Sequence, residues 1–178
     1  MATKQEINNF IDKVWKGVQS VNMSGLFPSV IIAQAALESG WGQSDLAKKY
    51  NNYFGIVANS GWKGGTIKLP GNSLTFRTYE DFSGSIKDHN KFLRENKRYE
   101  KAGVFSAATP EEQAAALQAA GYAGTSTTYA SKIVNIINTY DLKQYDNKKK
   151  VRTVVGGVGI GITVIIAIFL ILKVLKND

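Results

Sequence analysis

Between Val30 and Leu37 the chain reads VIIAQAAL, a run in which Gln34 is the one polar side chain. A helix through this stretch is apolar around most of its circumference, so it is stable only where other elements enclose it. Pro28 suits a first helical turn and Gly40 offers a left-handed cap, which predicts a helix over residues 28 to 39. The 178 residues, 44% of them hydrophobic, suffice for one domain built around it and a short appendage.

The enclosing elements are legible on both sides. Ile7, Phe10, Ile11, Val14, Val18 and Val21 recur at helical spacing and predict an amphipathic helix from about residue 4 to 21. Phe82, Ile86, His89 and Leu93 share a face of a later helix. Thr109-Pro110-Glu111-Glu112 reads as a capping box opening a helix from about 110 to 120. Tyr129, Ile133, Ile136 and Tyr140 mark a last helix before a polar link over 141–147. Residues 55–79, rich in glycine and β-formers, predict a short hairpin or irregular lobe.

Composition narrows the chemistry. Without cysteine there is no disulfide, thiolate metal site or cysteine nucleophile, and the single histidine, His89, excludes a multi-histidine cage. No metal and no cofactor are implied. The formal charge of +8 is unevenly placed: residues 148–178 carry six of the 22 basic groups and one of the 14 acidic ones, leaving residues 1–147 at +3. That mild balance argues against a nucleic-acid partner.

Thr153 to Leu172, TVVGGVGIGITVIIAIFLIL, carries no charge, and twenty helical residues span about 30 Å, the thickness of a bilayer core. The expectation is a C-terminal transmembrane helix with a 143–152 linker before it and a short tail, 173–178, after it. Lys148, Lys149, Lys150 and Arg152 on one flank and Lys173 and Lys176 on the other can reach headgroups. Gly157 and Gly161 form a small-xxx-small pair open to helix self-association or to ordinary membrane-helix use. The N-terminus, MATKQEINNFIDKV, lacks the apolar core of a signal peptide.

At the end of the buried run stands Glu38, four residues after Gln34 and on the same helix face. Set among Ala35, Leu37 and Trp41, its carboxyl would be partly desolvated and hold its proton near neutral pH, as a general acid requires. The pattern equally fits a solvated glutamate at a helix end, where the macrodipole also raises a carboxyl pKa a little. Both readings stand on the pattern alone.

The segments SVIIAQAALESGWGQSDLAKKYNNYFGI, FRTYEDFSGSIKDHNKFL, RYEKAGVF and LQAAGYAGTSTTYASKIVNIINTYDL, in that order over roughly residues 5–142, resemble the glucosaminidase domain of glycoside hydrolase family 73. The resemblance implies a mainly α, lysozyme-like α+β fold with a small β-hairpin lobe, over a domain of residues 1–142, cutting the β-1,4 bond after N-acetylglucosamine in peptidoglycan glycan strands. It implies Glu38 as general acid and Tyr122, of the GYA motif, as a cleft residue that supports catalysis. It makes Asn51, Asn52, Tyr53, Phe54 and Gly55 a cleft floor. Gln34, Trp41, Asn52, Tyr53, Phe54 and Trp62 are the expected substrate-binding set, since sugar faces need flat partners and sugar hydroxyls need fixed amides, although each aromatic taken singly fits core packing as well. His89, on the apolar face of its helix, is read as a satisfied structural histidine.

The chain departs from the family in one respect. Many relatives place a second carboxylate in the β-lobe, whereas here no Asp or Glu lies between Asp45 and Glu80. Glu80 and Asp81 are the nearest candidates, and both also suit a helix start. A lone acid implies substrate assistance by the 2-acetamido group or a held water, and it leaves two alternatives: a lytic transglycosylase, and a catalytically silent wall-binding or structural membrane protein. By the positive-inside rule, the basic flank at 148–152 places the domain in the cytoplasm, where there is no peptidoglycan. The expectation that resolves this conflict is a single-pass protein of a lipid-containing bacteriophage virion, with a bacterial envelope enzyme as the alternative.

Overall fold

A computed structural model of the chain describes residues 2–146. The linker from 147 onward, the expected transmembrane helix at 153–172 with Gly157 and Gly161, and the tail at 173–178 lie outside the described residues. Among the described residues no helix is long and apolar enough to cross a membrane.

Helix α1, Lys4–Ser20, opens on a reciprocal capping box in which Thr3 accepts from the Glu6 backbone N–H and the Glu6 carboxylate accepts from that of Thr3 at 2.7 Å. Its apolar stripe, Phe10, Ile11, Val14 and Val18, is buried against helix α2, Pro28–Ser39, and against helix α4, Phe82–Glu95. Gly17 marks where α1 and α4 come closest: a Cβ there would stand 2.6 Å from Ile86 Cδ1 and 2.8 Å from Phe82 Cε1. Gly17→Ala is therefore expected to destabilise the domain by about 1–2 kcal/mol, overpacking outweighing the helix-propensity gain of about 1 kcal/mol. Urea unfolding checks this, and a stabilised variant would contradict the close approach.

The central helix is α2, which packs on α1, on α6, Pro110–Ala119, and on α7, Tyr129–Thr139. Val30 through Ala36 are all buried. Phe27, at its N-cap, has no side-chain oxygen to satisfy the first N–H groups, so the caps come from far along the chain. Gln113 Oε1 accepts from Phe27 N at 2.8 Å, while its Nε2 donates to Gly25 O and Val104 O. Asp146 accepts from Ser29 N and Ser29 Oγ, each at 2.8 Å. The packed body thus continues to Asp146, four residues past the boundary read at 142, with Tyr145 against Trp15.

After α2 come three successive left-handed residues, Gly40, Trp41 and Gly42. Ser39 braces this turn, its hydroxyl donating to Ala35 O and accepting from Gly42 N. Two short helices, α3 (Asp45–Tyr50) and α5 (Lys97–Lys101), were not expected. Strands β1, Thr66–Lys68, and β2, Thr75–Arg77, pair antiparallel with Thr66 opposite Arg77, and an isolated bridge joins Val57 to Phe76. This is the small hairpin lobe. Two details differ from expectation. The Glu112 carboxylate reaches Ala108 N, one residue before the cap, so the box at Thr109 is not reciprocal. On α7, Ile137 is the buried neighbour of Ile133, and Ile136 is only half-buried.

Candidate active site

Helix α2 ends at Ser39 on the left-handed cap Gly40, and Glu38, in its last turn, has an exposed side chain. Its protein side is enclosed. There Gln34 Nε2 donates to Tyr129 Oη at 3.0 Å, and the Tyr129 hydroxyl is hydrogen-bonded in turn to the Glu38 carboxyl. Desolvation raises the Glu38 pKa above the ordinary carboxyl range, and the Tyr129 bond offsets only part of that. The i to i+4 spacing of Gln34 and Glu38 is what lets one tyrosine from α7 bridge both.

Tyr122, in the turn after α6, stacks on Tyr129 with ring centroids 5.4 Å apart and feels the Glu38 charge. Its phenol pKa is raised well above 10 by burial first, so it is a proton donor in hydrogen bonds rather than an anion. Behind it His89 Nε2 lies 3.1 Å from Tyr122 Oη, and the imidazole stacks face to face on Phe54 at 3.9 Å. His89 is fully buried, which pushes its pKa down to about 3 and keeps it neutral. The structure therefore gathers Glu38, Tyr122, Gln34 and, through His89, Phe54 around one point.

The other expected contact residues are placed differently. Gln34, Asn52, Tyr53 and Phe54 are no more than 5% exposed, and their visible partners belong to the protein. Asn52 clamps the base of the lobe, accepting from Ile56 N and donating to Ile56 O and Arg77 O. Tyr53 packs edge-on against Phe82 and accepts from Lys13 Nζ at 2.6 Å. Trp41 packs edge-on against Phe10 and Tyr140 and lines a pocket of about 560 Å³ with Glu6, Ile7, Gly40 and Gln43. Trp62 lies on the lobe, half-buried, its Nε1 donating to Gly65 O and its face covered by the Arg77 guanidinium at 4.6 Å.

Three polar residues between the lobe and α4 were not singled out by their sequence. Arg77 Nη1 donates to both oxygens of Asp88 at 2.9 Å, and Tyr79 Oη donates to Asp88 Oδ2 at 2.6 Å. This network pins the lobe to α4. It also occupies Asp88, the buried carboxylate of α4, with a cation and a phenol. Asp81 caps α4 by accepting from Gly84 N, and Glu80 has an exposed side chain. The signal for the network lay in the i, i+2 spacing of Arg77, the last residue of β2, and Tyr79 just beyond it, with Asp88 one helical turn after Ser85.

A glucosaminidase family model, described as mannosyl-glycoprotein endo-beta-N-acetylglucosaminidase, matches residues 17–142. The chain belongs to the glucosaminidase family. Over 136 residues it is 40% identical to the exo-glucosaminidase LytG of Bacillus subtilis (strain 168), covering 68% of this chain and 46% of LytG. Over 128 residues it is 38% identical to the peptidoglycan hydrolase FlgJ of Salmonella typhimurium, covering 64% of this chain and 40% of FlgJ. It thus spans less than half the length of these two relatives. The catalytic domain of the autolysin Auto from Listeria monocytogenes matches it with a TM-score of 0.66 at 33% identity, over 82% of this chain and 90% of that one. The mainly helical, lysozyme-like architecture with its two-stranded sheet is that of other glucosaminidase domains.

Proposed function

We propose that this glucosaminidase domain hydrolyses the β-1,4 bond after N-acetylglucosamine in peptidoglycan glycan strands, with Glu38 as general acid. The observation that carries the reading is an exposed carboxyl of raised pKa, held on its enclosed side by Tyr129, to which Gln34 donates. A protonated Glu38 delivers its proton to the leaving glycosidic oxygen as the bond to the anomeric carbon breaks. The hairpin lobe has no Asp or Glu, and Asp88 is held by Arg77 and Tyr79, so the group that attacks the anomeric carbon is a water or the sugar's own 2-acetamido oxygen. Tyr122 supplies a fixed hydrogen-bond donor beside that carbon.

Reducing-end analysis of digested peptidoglycan tests the reading. New N-acetylglucosamine reducing ends support it. Anhydro-muramyl products would make the protein a lytic transglycosylase, and an absence of products would overturn the enzymatic reading altogether.

The membrane attachment and the virion location belong to this proposal; the first rests on the charge-free sequence of residues 153–172 and the second on the basic flank at 148–152. The full chain is expected in the membrane fraction after carbonate extraction, and protease protection in purified virions against intact cells distinguishes a phage protein from an envelope enzyme.

A further inference from the structure

We propose that His89 is a positioning residue whose Nε2–H donates to Tyr122 Oη, so that the tyrosine proton is turned away from the imidazole and left for another acceptor in the site that holds Glu38. Three observations carry this. The imidazole is fully buried, its Nε2 is 3.1 Å from Tyr122 Oη, and its Nδ1 is without a hydrogen-bond partner among the described residues.

A neutral imidazole carries one N–H, so only two arrangements exist. With the proton on Nδ1, a buried N–H has no acceptor, and Tyr122 spends its own proton on Nε2. With the proton on Nε2, the donor is satisfied and only a lone pair is left bare at Nδ1. Buried N–H groups without acceptors are the rarer defect, so the second arrangement is favoured. The doubly protonated form is excluded by the same burial. Parallel stacking on Phe54 fixes the ring plane, and with it the line along which Nε2 points.

The consequence lies at Tyr122. Its oxygen then accepts from His89, so its single proton is left for another acceptor, and Glu38 and Tyr129 are among the groups whose charge it feels. Any water or sugar oxygen bound at that hydroxyl meets a donor whose direction is set before binding, so no hydroxyl rotation has to be frozen during the reaction. The catalytic part of this inference rests on the glycosidase reading, whereas the hydrogen-bond direction does not.

His89 is the chain's only histidine, so long-range proton–nitrogen correlation on the full 15N-labelled protein reads its tautomer without assignment. The expected result is a neutral ring protonated at Nε2 that stays unchanged from pH 8 to pH 5. An Nδ1–H tautomer, or protonation near pH 6.5, would overturn the proposal whether or not the protein is an enzyme. A second arm compares His89→Leu with His89→Gln, whose amide N–H takes the place of Nε2–H. His89→Leu should lower kcat about tenfold with little change in KM, His89→Gln should recover most of that loss, and His89→Leu should cost nothing further in a Tyr122→Phe background. Equal losses in both His89 variants, or the full loss persisting without the Tyr122 hydroxyl, would show that His89 serves packing alone.

Discussion

Glu38→Gln should lower kcat on peptidoglycan by about 10³-fold, near 4 kcal/mol of barrier, while the protein folds as before. The glutamine keeps the shape of the side chain and still accepts from Tyr129, but it has no proton of suitable acidity to give. Because the Glu38 side chain is exposed, the change removes no packing. The pH dependence has a definite sign. Desolvation raises the folded-state pKa, so the acid form persists to higher pH than in an ordinary carboxyl. Turnover should fall tenfold per unit as pH rises through that raised value, and the fold should lose a little stability over the same interval, since the ionised form is the one penalised by burial. Glu38→Gln should abolish both effects. A variant retaining activity within about tenfold, 1.4 kcal/mol, would remove Glu38 from the role of acid.

The second large effect is expected in stability. Asp88→Ala strands the buried Arg77 guanidinium and takes the acceptor from Tyr79, and breaking a buried pair in this way costs about 3–5 kcal/mol. For a domain of this size that corresponds to a Tm lowered by roughly 10–15 °C. Asp88→Asn, which still accepts from one partner, should lose less. Calorimetry on both variants checks the order, and an Asp88→Ala protein within 1 kcal/mol of the parent would mean that the lobe is held by something else. The placement of the lobe should suffer with the fold, because Arg77 and Asn52 together fix its base.

The long helices were legible by two kinds of signal: α1, α4 and α7 lie where an apolar period predicts them, and α2 and α6 where their end signals do, Pro28 and Gly40 for the one and Thr109-Pro110 for the other. Helices α3 and α5, of six and five residues, are too short to show a period. In α3 the signal was in its ends, the Ser44 side chain accepting from Ala47 N and Asn51 taking the left-handed conformation. At the site, Glu38 and Tyr122 carry functional groups at points the motifs fix. Tyr129 was read only as part of an apolar face, because periodicity records where a ring goes and not what its hydroxyl touches. The same limit explains Asn52 and Tyr53. An amide or phenol in a motif looks like a hand held out to substrate until the backbone carbonyl or lysine already in its grip is seen.

The caps of α2 have a consequence for the order of events in synthesis. Ser29 is closed by Asp146, 117 residues later, and Phe27 by Gln113, 86 residues later. While the chain is being translated, the helix that carries Glu38 emerges early with its first N–H groups open, and it is completed only when the end of the domain has left the ribosome. The domain is in this way kept unfinished until nearly all of it has been made.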